Sequence, residues 1–110
     1  GPIRLVAGPD PDAFSPAARD LLVAAPYRVL PTSDRVGTRL AGAALPRTDA
    51  PERTRPMVRG ALEVPRDGQP IVLGPEHPTT GGYPIVAVIA ADDLDRLFST
   101  PLGGELQFTW

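Results

Sequence analysis

Apolar residues fall along this chain in short bursts, each closed by glycine, proline or a cluster of charge, and each burst predicts one short element. Ile3 to Ala7 reads as a strand stopped by Gly8-Pro9-Asp10-Pro11, where the prolines have no amide hydrogen to give to a ladder. Ser15 ahead of Pro16 is a serine cap with proline at the first helical position, so the alanine- and leucine-rich run to Leu22 predicts a short helix. Tyr27 to Leu30 predicts a second strand, and Asp34 to Leu40 a third in which polar and apolar positions mix. Ala61 to Val64 and Ile71 to Leu73 flank the proline-led turn Pro65-Arg66-Asp67-Gly68, the pattern of a hairpin. Pro84 opens Ile85 to Ala90, apolar throughout and therefore a buried strand. Asp92 to Phe98 predicts a second short helix whose acidic first turn suits the positive end of its dipole, and Leu106 to Trp110 a last strand.

From Ala43 to Arg59 the pattern breaks down, with Pro46, Pro51 and Pro56 spread among arginines and alanines. This stretch, 43–59, predicts a long exposed loop within a single domain spanning 1–110, because the strands on either side of it could not each form a core alone. Many short strands with two small helices predict a mainly β fold, a closed or nearly closed barrel. A chain of 110 residues buries about two-thirds of its extended surface, enough for one core.

Charge and composition narrow the partners and the chemistry. The 11 basic and 13 acidic residues leave a net charge of −2, which gives no electrostatic reason to expect nucleic acid or an anionic membrane surface as a partner. No apolar run approaches the ~20 residues of a membrane span, and the absence of cysteine fits a reducing compartment, so the expected location is the cytoplasm. Every basic residue apart from His77 is an arginine. Without lysine there is no Schiff base, no lysine general base and no P-loop of the G-x-x-x-x-G-K type. With one histidine and no cysteine, a metal site is not expected. Ser15, Ser33 and Ser99 lack the G-x-S-x-G setting of a nucleophile elbow.

The candidate chemistry lies in two places. Thr79-Thr80-Gly81-Gly82-Tyr83-Pro84 sets two hydroxyls, two unhindered amides and a phenol at the entrance of a buried strand. Glycines there can take positive φ and let a ligand approach the backbone, or they form a turn with Tyr83 in the core and the threonines bonding local backbone. In a strand over 34–40, Arg35, Gly37 and Arg39 would share one face with bare backbone between two forked donors, a cradle for a carboxylate or phosphate; a solvated strand face is the competing reading. Glu63 alternates with Leu62 and Val64 and so faces a different environment from theirs. His77 fits a surface loop, Asp10 a turn cap, and Asp92, Asp93 and Asp95 a solvated helix.

Several ordered motifs together carry a resemblance: Gly8-Pro9, Ser33-Asp34-Arg35 with Gly37, Arg39-Leu40 and Gly42, then Gly60, Val64-Pro65, Gly68-Gln69-Pro70-Ile71, and the whole of Thr79 to Pro84. The chain resembles the second half of the allophanate hydrolase subunit 2 family, the carboxyltransferase-type family that includes the 5-oxoprolinase C-subunits (PxpC, KipA-like). The resemblance implies a cyclophilin-like β-barrel acting with a KipI-like partner, the 5-oxoprolinase B-subunit or allophanate hydrolase subunit 1 type, on a small amide, lactam or ureido substrate. The implied reaction is ATP-dependent hydrolysis or carboxyl transfer. ATP or carboxybiotin would enter in the full complex, with no cofactor held by this chain alone. On this resemblance Arg35, Arg39, Thr79, Thr80, Gly81, Gly82 and Tyr83 are the substrate-binding candidates, and Glu63, Gln69 and His77 further candidates for the pocket. An alternative role implied by some relatives is a non-catalytic module that antagonises a KipI-like kinase inhibitor. The chain departs from the family pattern at Glu63, where glutamine is usual, Glu76 for aspartate, Pro78 for glutamine, Ile85 for lysine, and Thr54-Arg55-Pro56 for a Ser-Glu-Gly type sequence.

Overall fold

A computed structural model describes residues 1–110. Its strands are β1 (Ile3–Ala7), β2 (Tyr27–Val29), β3 (Gly37–Ala41), β4 (Arg55–Pro56), β5 (Ala61–Glu63), β6 (Ile71–Leu73), β7 (Thr80–Gly81), β8 (Ile85–Ile89), β9 (Glu105–Leu106) and β10 (Phe108–Thr109); its helices are α1 (Pro16–Ala24) and α2 (Leu94–Phe98). Eight strands form one sheet in the order β10-β1-β8-β5-β6-β3-β2-β9, and β4 and β7 pair as a separate ribbon. The end strands of that order, β9 and β10, are consecutive in the chain across Gln107. One edge therefore joins the other through a single residue, and the sheet curls into the nearly closed, mainly β barrel that the sequence predicts.

Alternation sorts side chains between two faces. Leu5, Leu40, Leu62, Val72, Ala87 and Ile89 point inward and join Tyr27, Leu22 and Phe108 in the main core. A bulge between β5 and β8 at Leu62 and Glu63 puts Ile85 opposite Glu63, so Val86 and Ala87 both reach the core. The outward residues of β5, β6 and β8 include Ala61, Leu73 and Ile85, which with Met57 form a second, smaller apolar cluster on the outside of the barrel. Helix α1 begins as its cap predicts: Ser15 Oγ accepts the Ala18 N–H at 3.2 Å, and Ala18 and Leu22 turn inward. The β5–β6 turn closes through Gly68, whose φ of 79° is one that side-chain-bearing residues avoid.

Five sequence expectations change. The third strand starts at Gly37 rather than Asp34, because Asp34 Oδ1 accepts the amide hydrogens of Val36 and Gly37 at 2.9 and 3.2 Å and folds a turn. Arg35 lies in that turn and does not share a strand face with Arg39. Nor is the space at Gly37 bare: a Cβ there would meet Ile71 Cγ2 at 2.8 Å, so the Ile71 methyl occupies it. The 43–59 stretch is not wholly exposed, since Leu45 and Met57 are buried and Arg55–Pro56 pairs with Thr80–Gly81. Lastly, the final strand is divided at Gln107 so that its halves can pair with opposite edges.

Candidate functional site

The candidate site lies on the outside of the barrel, over β5, β6 and β8, where the 43–59 stretch and the β4–β7 ribbon form a strap across the second apolar cluster. Cross-strand register places Arg39, Ile71, Glu63 and Ile85 in one row across β3, β6, β5 and β8, all on this outer face. Glu63 is thus a carboxylate set between two isoleucines. A cavity of about 350 Å³ opens above it, lined by Glu63, Met57, Leu73 and Pro78 and by Thr80, Gly81, Gly82, Tyr83 and Glu52 from the strap and glycine loop. A second cavity of about 490 Å³ adjoins it, since Glu52 and Gly82 border both; Asp10, Arg47, Thr48, Arg53 and Arg55 are among its other walls.

The strap is held by charge. Asp10 Oδ2 accepts the Ile85 N–H at 2.7 Å while Oδ1 pairs with Arg55 Nη1 at 2.5 Å, so one carboxylate ties β4 to the start of β8. Arg47 pairs with Glu52 at 2.8 Å and donates to the Val64 carbonyl at 3.3 Å. Sequence reasoning gave Asp10 only a local turn role, and its partners at Arg55 and Ile85 are too far along the chain for any local pattern to reveal. A trace existed in Gly8, where a Cβ would meet the Ile85 carbonyl oxygen at 2.5 Å: the chain must press on β8 at that point.

The predicted site residues divide. Thr80, Gly81, Gly82 and Tyr83 meet Glu63 in the smaller cavity. Thr79 is outside it and uses its carbonyl to accept the Met57 N–H. Gly81 and Gly82 do not take positive φ. A Cβ on Gly81 would press on the Met57 side chain at 3.2 Å, whereas a Cβ on Gly82 meets nothing within 4 Å. Tyr83 is partly exposed rather than in the core. Neither Arg35 nor Arg39 lines either cavity. Arg35 makes a surface pair with Glu76 at 3.6 Å, while Arg39 faces Glu63 along the row. Burial pushes the Glu63 carboxyl above its ordinary value, and the positive charge of Arg39 opposes that shift. Gln69 clips the chain instead of facing a cavity: its amide accepts from Gly42 N–H at 3.2 Å and donates to Gly42 carbonyl at 3.3 Å. His77 holds its Nδ1 2.7 Å from the Pro78 carbonyl and borders neither cavity.

Asp93 also departs from its expected role. It is buried, and accepts from the Arg4 backbone at 2.8 Å, from Arg4 Nε at 3.0 Å and pairs with Arg96 at 3.2 Å, so it clamps β1 to the start of α2.

Residues 1–110 match the family described as carboxyltransferase domain, subdomain A and B. The chain is 38% identical over 107 residues to the 5-oxoprolinase C-subunit of Escherichia coli (strain K12), covering 96% of this chain and 34% of that protein. It is 38% identical over 77 residues to the 5-oxoprolinase C-subunit of Haemophilus influenzae, covering 69% of this chain and 25% of that one. It thus spans about a third or less of the length of these relatives. Among solved structures, TTHA0988 superposes with a TM-score of 0.86 at 33% identity over 100% of this chain and 21% of the other. The Kluyveromyces lactis urea carboxylase gives 0.87 at 22% identity over 96% of this chain and 10% of that one, a likeness of fold.

Proposed function

This chain belongs to the carboxyltransferase domain family, subdomain A and B, and from that premise we propose that it supplies the amide-binding wall of a 5-oxoprolinase-type or carboxyltransferase enzyme. The observation that carries the reading is the meeting of Thr80, Gly81, Gly82, Tyr83 and Glu63 around one cavity of about 350 Å³. A small lactam or ureido group needs both donors and acceptors around a planar, partly apolar body. The threonine hydroxyl and loop amides can donate to a carbonyl oxygen and stabilise negative charge developing on it, the carboxyl of Glu63 can engage an N–H, and Met57 and Leu73 offer apolar cover. Tyr83, partly exposed at the rim, closes one side of the ring plane. Arg39 contributes at a distance, through its field on Glu63.

Phosphoryl or carboxyl donors belong to the complex in this reading. In the adjoining cavity Arg47 and Arg55 are paired with Glu52 and Asp10, which leaves Arg53 as the one arginine there outside an ion pair, and the chain has no lysine. The partner expected to complete the site is a KipI-like protein of the 5-oxoprolinase B-subunit type, and relatives named as C-subunits of 5-oxoprolinase support a heteromeric enzyme.

The test is coexpression with such a KipI-like protein, followed by phosphate release across small lactams and ureas. Gly82→Leu is the informative variant, because the position has open space and ordinary φ and so tolerates a side chain that would fill the cavity. Turnover should fall by about tenfold or more with the melting temperature unchanged. Capture of the partner without turnover on any amide, or full activity in Gly82→Leu, would overturn the reading.

A further inference from the structure

One ionisable side chain projects from the barrel into the smaller cavity, and it has no partner there. The ion pairs of the chain engage Asp10, Glu52, Glu76, Asp92, Asp93 and Asp95, and Glu63 is in none of them. Ile71 and Ile85 flank it in register, and Met57 and Leu73 stand on the same side. Both carboxyl oxygens are therefore available, in an apolar setting where a hydrogen bond is stronger than in water.

We propose that Glu63 selects amides in the cis geometry, pairing with the edge of a lactam, a cyclic ureide or a primary amide through two parallel hydrogen bonds. This rests on the amide-binding reading above and adds the residue that reads the substrate and the isomer it takes. In a cis amide the N–H and C=O lie side by side, so a carboxylic acid can accept from one and donate to the other at once. A trans secondary amide, the form of nearly every peptide bond, points the two groups in opposite directions and can make one of these bonds. The pocket would thereby take small cyclic or primary amides and refuse peptides.

The pairing uses the protonated acid, and burial acts in that direction. Burial between the isoleucines raises the Glu63 pKa. The charged groups facing it are Arg39 from β3, which opposes the shift, and Glu52 from the strap, which shares the cavity with the Tyr83 phenol from the glycine loop; β6, β7 and β8 present Leu73, Thr80 and Ile85, which carry no charge. Deprotonation would set a carboxylate oxygen against the lactam carbonyl.

The experiment is a chemical-shift titration of the labelled chain, in complex with the coexpressed KipI-like protein, with 2-pyrrolidinone and with N-methylacetamide, for wild type, Glu63→Gln and Glu63→Leu, at several pH values. Wild type should prefer 2-pyrrolidinone by about fivefold or more, with affinity falling as pH rises through the Glu63 pKa. Glu63→Gln should retain the preference at every pH, because a carboxamide presents the same adjacent donor and acceptor, and Glu63→Leu should lose it with an unchanged melting temperature. Equal binding of the two amides by wild type, or an undiminished preference in Glu63→Leu, would overturn the role of Glu63 while leaving amide binding intact. Binding of neither amide by wild type would overturn both.

Discussion

Asp93 and Glu63 are carboxylates pushed in opposite directions by their settings. Glu63 has apolar neighbours and no partner, so burial raises its pKa. Asp93 is held well below the usual carboxylate range, chiefly by the side-chain hydrogen bond from Arg4, then by the Arg4 amide and by Arg96. Its native pKa lies below the unfolded one, so its contribution to stability is fully present above the unfolded value of about 4 and is lost as pH falls through the native pKa. Asp93→Asn should therefore lower the melting temperature at pH 7 by several degrees, and the gap to wild type should narrow progressively in acid. Thermal denaturation of both proteins between neutral pH and strong acid checks this; a gap independent of pH would remove the clamp from the account.

Among elements, the strap decides whether the site exists. Its ribbon has only two residues in each strand, too little pairing to be stable by itself, so its position depends on Met57 packing under Gly81 and on the Asp10–Arg55 pair. Asp10 also satisfies the amide of Ile85. Asp10→Ala should for that reason cost more stability than Arg55→Ala, since it strands a backbone donor as well as a guanidinium. A double-mutant cycle should return a coupling of about 0.5–3 kcal/mol, and hydrogen exchange should speed up at residues 55, 57 and 80–82 in both variants while β1 and β5 keep their protection. Additive effects would mean that the two side chains do not act together.

For the molecule as a whole, closure is the critical event. Phe108 sits on the strand that completes the barrel, is 1% exposed and packs against Tyr27 with ring centroids 6.0 Å apart. Phe108→Ala should cost about 3–5 kcal/mol, a large fraction of the ~5–15 kcal/mol expected in total, and chemical denaturation should show a lowered midpoint. A loss below ~1 kcal/mol would mean that the closing strand is dispensable. No helix is long and apolar enough to cross a membrane.

What the sequence determined by itself was local: the cap of α1, the β5–β6 hairpin, the apolar β8 and the glycine loop ahead of it, each set by residues within a few positions of one another. Their sum also gave the barrel, because short alternating strands have few other ways to bury one face. Tertiary structure alone decided which side chains share the cavity. The row that brings Arg39 near Glu63, the turn that removes Arg35 from it, and the bond between Asp10 and Ile85 depend on strand register, bulges and long-range pairing. Those arise when distant segments compete for the same neighbours, and a one-residue shift in register exchanges the two faces of a strand.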